Sequence, residues 1–181
     1  MATAIFPAMR RSRLDGMISL TSRAFTDATP IPTKHLGPGH GGNLAPQLDW
    51  GVPPVGTRAW ALTLTDDDAP GYDHWLVVLP LATSELAEGE LPKGAVVGHG
   101  TRALGYEGPC PPSGTHHYVF TLLALDVEPG LVRGFTREQF DAATRDHVVV
   151  SATLRGSYKP GLKHELGAQK SRLLGAVRRL R

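Results

Sequence analysis

The chain has 181 residues, of which 41% are hydrophobic, 20% charged and 7% aromatic: enough for one domain with a single core, and unlike a wholly disordered, collagen-like or coiled-coil chain. Its one cysteine, Cys110, excludes an internal disulfide scaffold. The net charge of +2 combines +3 in residues 1–13, −7 in residues 14–158 and +6 in residues 159–181, an acidic body with basic ends, which excludes a nucleic-acid domain with its basic stripe on the folded face.

In chain order, residues 1–15 form a basic extension. Its apolar patch precedes Arg10, Arg11 and Arg13, the reverse of a signal peptide. No run approaches the roughly 18 apolar residues of a membrane span. The expected setting is cytoplasmic. Met17 to Phe25 alternates weakly and predicts a strand. Residues 26–47 are rich in Pro and Gly and predict a loop. Arg58 to Thr65 places Trp60, Leu62 and Leu64 on one face, the period of a strand. Asp66-Asp-Asp-Ala-Pro70 stops it. Trp75 to Leu79 predicts a short buried strand. Residues 83–114 are again loop-rich, with a small strand at Val96-Val97.

His116 to Asp126 is the strongest strand, bounded by Gly114 and by Pro129-Gly130. Thr136 with Gln139 three residues on predicts a capping box and a helix to about His147. Val148 to Tyr158 returns to strand. Short strands between turn-rich loops predict a mainly β fold: an antiparallel β sandwich over residues 16–158 with a few peripheral helices. Residues 159–181 predict a basic amphipathic helix, with Leu162, Leu166, Leu173, Leu174, Val177 and Leu180 at helical spacing. Its candidate contacts are its own domain, a second copy of the chain, a protein partner, or an anionic membrane surface.

Several motifs fail on context. Gly37-x-Gly39-x-x-Gly42 has no strand before it, holds Pro38 and opens no helix. Asp66-x-Asp68 lacks the βαβ alternation of an aspartate phosphatase. Asp66-Asp67-Asp68 lacks the glycine and terminal glutamate of a calcium loop. Cys110, His74, His116 and His117 lack the paired spacing of a structural zinc site. No metal or cofactor is expected.

Two segments carry chemistry. One is Asp66-Asp-Asp-Ala-Pro-Gly-Tyr-Asp-His74-Trp. The other is Gly105-Tyr-Glu-Gly-Pro-Cys-Pro-Pro-Ser-Gly-Thr-His116-His-Tyr118. Each sets carboxylates, imidazoles or a phenol where a strand meets a turn, so they can converge at one rim of a sandwich. The amides of Gly108, Cys110, Ser113 and Gly114, with imidazole and phenol donors, can hold a phosphate or carboxylate. Asp66 or Asp68 would then orient His74 or His116, or accept from a ligand ammonium.

Together these segments resemble the bacterial Raf-kinase-inhibitor-like branch of the phosphatidylethanolamine-binding protein family. Asp66-Asp-Asp-Ala-Pro70 followed by His74-Trp is similar to the first family signature. Gly105-Tyr-x-Gly-Pro-Cys-Pro-Pro-x-Gly114 followed by His116-x-Tyr118-x-Phe120 is similar to the second. Asn43-Leu-Ala-Pro46, Leu48-x-Trp50, Gly56-Thr57 and Ala124-Leu125-Asp126 support it, so the likeness spans residues 18–158.

The resemblance implies a Greek-key β sandwich with an anion pocket at one end, accepting phosphate, phosphorylethanolamine or similar groups. Its implied lining is Asp66, Asp68, Pro70, His74, Gly108, Cys110, Pro111, His116 and Tyr118. It also implies a ligand-binding regulator rather than an enzyme. Three positions depart from the family pattern: Asp67 replaces a proline, the Gly71–Asp73 link is short, and His117 replaces an arginine. The expected function is non-enzymatic binding of a small anionic or phosphorylated ligand. The alternatives are a protein-interaction regulator using the basic tail, and a weak hydrolase using Asp66, His74 and His116.

Overall fold

The computed structural model describes residues 17–161. The basic N-terminal extension and residues 162–181 of the predicted C-terminal helix lie outside them; residues 159–161 are described and are not helical. Eight strands form within this span. They are β1 (Thr29–Pro30), β2 (Leu48–Asp49), β3 (Ala59–Asp66), β4 (Asp73–Pro80), β5 (Glu85–Leu86), β6 (Val96–Val97), β7 (His116–Leu125) and β8 (Val148–Tyr158). One α-helix, α1 (Arg137–Thr144), and a 3₁₀ turn at Thr33–His35 accompany them. The larger sheet runs β1-β8-β7-β3-β4-β6, and β2 pairs with β5 in a two-stranded sheet. The mainly β prediction holds. The pairing is not antiparallel throughout, because β1 runs parallel to β8.

Alternation divides the sheet into two apolar faces. Trp60, Leu62 and Leu64 of β3 join Trp75, Val77 and Leu79 of β4 and Phe120, Leu122 and Ala124 of β7 in the main core. Ala59 and Ala61 face the other way, where Phe135 and Phe140 cover them. That face explains why β3 and β4 read as nearly continuous buried runs. Small alanines on β3 leave room for the two phenylalanine rings.

Two predicted elements change. Met17 to Phe25 is not a strand; it contributes one isolated bridge, Thr21 to Asp49. Its polar groups bond to Gln47 instead: Ser22 Oγ donates to the Gln47 carbonyl and Arg23 N to Gln47 Oε1. A segment satisfied by side chains has no ladder to extend. The helix starts at the predicted capping box of Thr136 and Gln139, but ends at Thr144 rather than near His147. Thr144 Oγ1 donates to the Phe140 carbonyl and His147 N to the Thr144 carbonyl. The β-branched run Val148-Val-Val150 then favours the strand.

The antiparallel register brings the end of β3 and the starts of β4 and β7 to one rim. Asp66 lies opposite Tyr118, and Thr65 opposite Asp73. Leu64 pairs with Trp75, so His74 is an extra residue, a β-bulge. Bulges re-aim side chains at sheet rims. Here Asp73 turns to α1, where its Oδ1 accepts from Arg137 Nη1 at 2.7 Å. His74 turns to the main-core side, where its ring meets Tyr118 edge-on at 5.3 Å.

Candidate functional site

A cavity of about 110 Å³ opens at this rim, lined by Asp66, Ala69, Tyr72, His74, Arg102, Cys110, Pro111, Pro112, His116 and Tyr118. Each wall has a distinct origin. Asp66 ends β3 and is buried. Its Oδ1 accepts from Asp68 N at 2.9 Å, an Asx turn that the Asp-Asp-Asp sequence favours. Its Oδ2 lies 2.7 Å from His116 Nδ1. A carboxylate only accepts, so Nδ1 carries the proton and Nε2 faces away from Asp66.

His74 is fixed in the same way by a different acceptor. Its Nδ1 donates to the Glu107 carbonyl at 2.9 Å, and its own carbonyl accepts from Glu107 N at 2.9 Å. These two bonds join the bulge to the Gly-Pro loop. Burial lowers the His74 pKa below the ordinary imidazole value, against the opposing pull of the Glu107 carbonyl and carboxylate and of Asp66. A neutral His74 presents a bare Nε2. His74 and His116 are thus each held through Nδ1.

Tyr118 supplies the third group. Its side chain is fully buried between the two imidazoles, and its Oη has no hydrogen bond of acceptable geometry. Burial first, and then the Asp66 charge, hold the phenol protonated well above its usual range. The hydroxyl is therefore a donor whose interaction with the nearby Asp66 carboxylate is poorly formed.

Arg102 and Tyr72 complete the mouth. Tyr72 Oη donates to Glu107 Oε2 at 3.1 Å, and Arg102 lies over the Tyr72 ring at 5.9 Å. Arg102 Nη1 is 3.4 Å from Glu107 Oε1 and 3.7 Å from Cys110 Sγ. Burial raises the Cys110 pKa, so the thiol is neutral and a poor nucleophile.

The family model for phosphatidylethanolamine-binding protein matches residues 21–159. The chain belongs to the phosphatidylethanolamine-binding protein family. The resemblance read from the two signature segments is thereby confirmed. A "UPF0098 protein" from Methanothermobacter thermautotrophicus is 37% identical over 153 residues, 80% of this chain and 100% of that one. A Mycobacterium tuberculosis relative, "Putative lipoprotein LppC", is 38% identical over 78% of this chain and 72% of its own. The crystal structure of the homologue CT736 from Chlamydia trachomatis has TM-score 0.74 and 34% identity, covering 81% of this chain and 99% of that one. E. coli YbcL, described as a member of the mammalian family, has TM-score 0.74 and 30% identity over 80% and 99%.

Of the residues expected from this family's motifs, Asp66, His74, Cys110, Pro111, His116 and Tyr118 line the cavity. Asp68, Pro70 and Gly108 do not. Asp68 turns outward and accepts from His117 N at 2.7 Å and Nδ1 at 2.9 Å. Pro70 is exposed on the turn. Gly108 N is already engaged, donating to Asn43 Oδ1 at 2.8 Å, so it is not one of the amides open to an anion. The departures at Asp67 and His117 lie outside the cavity: both are exposed, and His117 holds Asp68.

Tyr72, Arg102 and Glu107 were missed as site residues. Tyr72 and Glu107 stand inside the two motif segments, where a ring next to His74 and a carboxylate next to the Gly-Pro run were the available signals. Arg102 had one weak signal: it is the nearest cation before the second segment. No helix among the described residues is long and apolar enough to cross a membrane.

Proposed function

We propose that this family member binds a small anionic or phosphorylated group, of the phospholipid-headgroup type, in the strand-end cavity and does not turn it over. The observation that carries this reading is the meeting at one cavity of two oriented imidazoles and Tyr118, whose buried hydroxyl makes no well-formed hydrogen bond. A donor kept buried without an acceptor costs about 1–3 kcal/mol. An anion's oxygen removes that cost. Nothing in the cavity is an activated nucleophile, because burial holds both Cys110 and Tyr118 protonated. Binding without turnover fits a regulatory role. A cytoplasmic setting is part of the reading, since the lone thiol needs no oxidising compartment; cell fractionation checks it.

The pH dependence has a definite sign. Neutral His74 offers a lone pair at Nε2, which repels an anion; protonated His74 offers an N–H. Its pKa is lowered by burial, so protonation without ligand occurs below the ordinary histidine range. A bound anion favours the charged ring, so binding takes up a proton. Calorimetry with phosphate and with sulfate, which keeps its charge over this range, is expected to show tighter binding at about pH 6 than at about pH 8. Runs in buffers of different ionisation enthalpy should show the proton uptake. His74→Ala and His116→Ala are each expected to weaken binding about 10-fold, one charge-assisted hydrogen bond. A flat pH profile, or equal affinities in all three proteins, overturns the reading.

A further inference from the structure

We infer that Arg102 is the specificity-determining residue of this site: it reads the charge of the ligand, and Glu107 is the internal anion that the ligand displaces from it. This inference rests on the anion-binding reading above and adds a charge-exchange step to it.

The lining residues contain two carboxyl- or thiol-bearing groups, two imidazoles, two phenols and one guanidinium, that of Arg102. With the His74 pKa lowered by burial, an anion entering the cavity meets a bare ring nitrogen and the Asp66 side chain, and needs a fixed positive charge. Arg102 is that charge, since guanidinium stays protonated at any working pH. The position where the family pattern sets an arginine, His117, faces Asp68 at the surface and adds no permanent cation to the cavity.

Arg102 is held in place from the strand that carries His74. Thr101 N donates to the Asp73 carbonyl at 2.8 Å, and Asp73 N donates to Thr101 Oγ1 at 2.8 Å. Gly100 lets this approach occur, because a Cβ there would meet the Asp73 carbonyl oxygen at 2.6 Å. The loop is thus pinned one residue from His74 on one strand and one residue from Arg102 on the other side.

The guanidinium is only loosely satisfied. Its contact with Glu107 Oε1 is 3.4 Å, long for a charge-assisted bond, and its side chain is 62% exposed. Glu107 keeps other partners if Arg102 leaves: Tyr72 Oη donates to it, and Cys110 Sγ lies 3.7 Å away. An incoming anion can therefore take the bidentate guanidinium face without stranding the buried carboxylate. The ligand class this selects is one with at least two coplanar anionic oxygens, such as a phosphate monoester, over a neutral or cationic group.

The test uses the full chain, inorganic phosphate as probe, and calorimetry at about pH 8, where imidazoles are neutral and Arg102 is not. Arg102→Gln is expected to weaken phosphate binding about 10-fold or more, with unchanged thermal unfolding. Arg102→Lys should recover part of that loss, and the salt dependence of binding should flatten in Arg102→Gln only. Glu107→Gln, which can still accept from Tyr72, should tighten binding. Native affinity in Arg102→Gln, or loss of native binding at about pH 8, overturns the assignment of charge reading. Unchanged or weaker binding in Glu107→Gln overturns the exchange. Tyr118→Phe at about pH 6 separates the two levels. If it weakens binding while Arg102→Gln does not, the pocket stands and Arg102 is not its charge reader. If neither changes binding, the anion-binding reading fails together with this one.

Discussion

Tyr118→Phe is expected to weaken phosphate binding about 10-fold while leaving the folded state as stable as before, or more stable by up to about 1 kcal/mol. The two effects have opposite signs for one reason. The hydroxyl of Tyr118 is buried and makes no hydrogen bond of acceptable geometry. Removing an ordinary buried hydroxyl strands its partner and costs stability. Its nearby acceptor, Asp66, keeps Asp68 N and His116 Nδ1 as donors, and phenylalanine keeps the ring that packs between His74 and His116. Sites built for a ligand often store such a cost in the empty protein. Denaturant unfolding at constant slope, paired with phosphate calorimetry, measures both quantities. A loss of 1–3 kcal/mol of stability would show the hydroxyl to be structural. Undiminished binding would remove it from the site.

Gly108→Ala is expected to destabilise the protein by about 2–4 kcal/mol and to abolish binding with it. A Cβ at this position would stand 2.2 Å from the His35 carbonyl oxygen and 2.6 Å from Gly37 N. Both neighbours are backbone, so neither can swing aside. They are also committed: Tyr106 Oη donates to the His35 carbonyl at 2.7 Å, and Gly37 N to the Pro109 carbonyl at 2.9 Å. The backbone of residues 35–37 is thus a shelf beneath the Gly-Pro loop. Lifting that loop moves Cys110, Pro111 and Pro112, one wall of the cavity. Gly161→Ala is the control, since no other described residue lies within 4 Å of its Cβ and its φ is not in the left-handed region. Equal thermal midpoints for the two variants would refute the close-approach argument.

Much of the fold was legible because β strands write themselves at period two. Trp60, Leu62 and Leu64 share a face as the alternation required, and the capping box at Thr136 formed as its spacing predicted. The failures have a common physical origin. Met17 to Phe25 alternates, yet Gln47 satisfies its polar groups before a ladder can. The helix stops at Thr144 because the chain turns there, His147 N donating to the Thr144 carbonyl, so that β8 can begin at Val148. In the site, motif spacing found the groups that point inward from strand ends. It could not show that Asp68 is occupied by His117, or that Gly108 N is spent on Asn43. Both partners lie 49 or more residues away in sequence.

A mainly β chain, the strands that carry the core, and the two segments whose imidazoles, carboxylates and phenol meet at a rim could all be read from residue order alone. Those follow from local periodicity and from residue chemistry, which need no distant partner. Only the tertiary structure decided which of those groups are free to act. The bulge at His74 turns its ring toward Tyr118 and gives Asp73 to Arg137. The pinned loop at Thr101 brings Arg102 to the mouth. A donor is available to a ligand only when no other part of the chain has taken it, and that is settled by long-range hydrogen bonds that leave no mark on spacing.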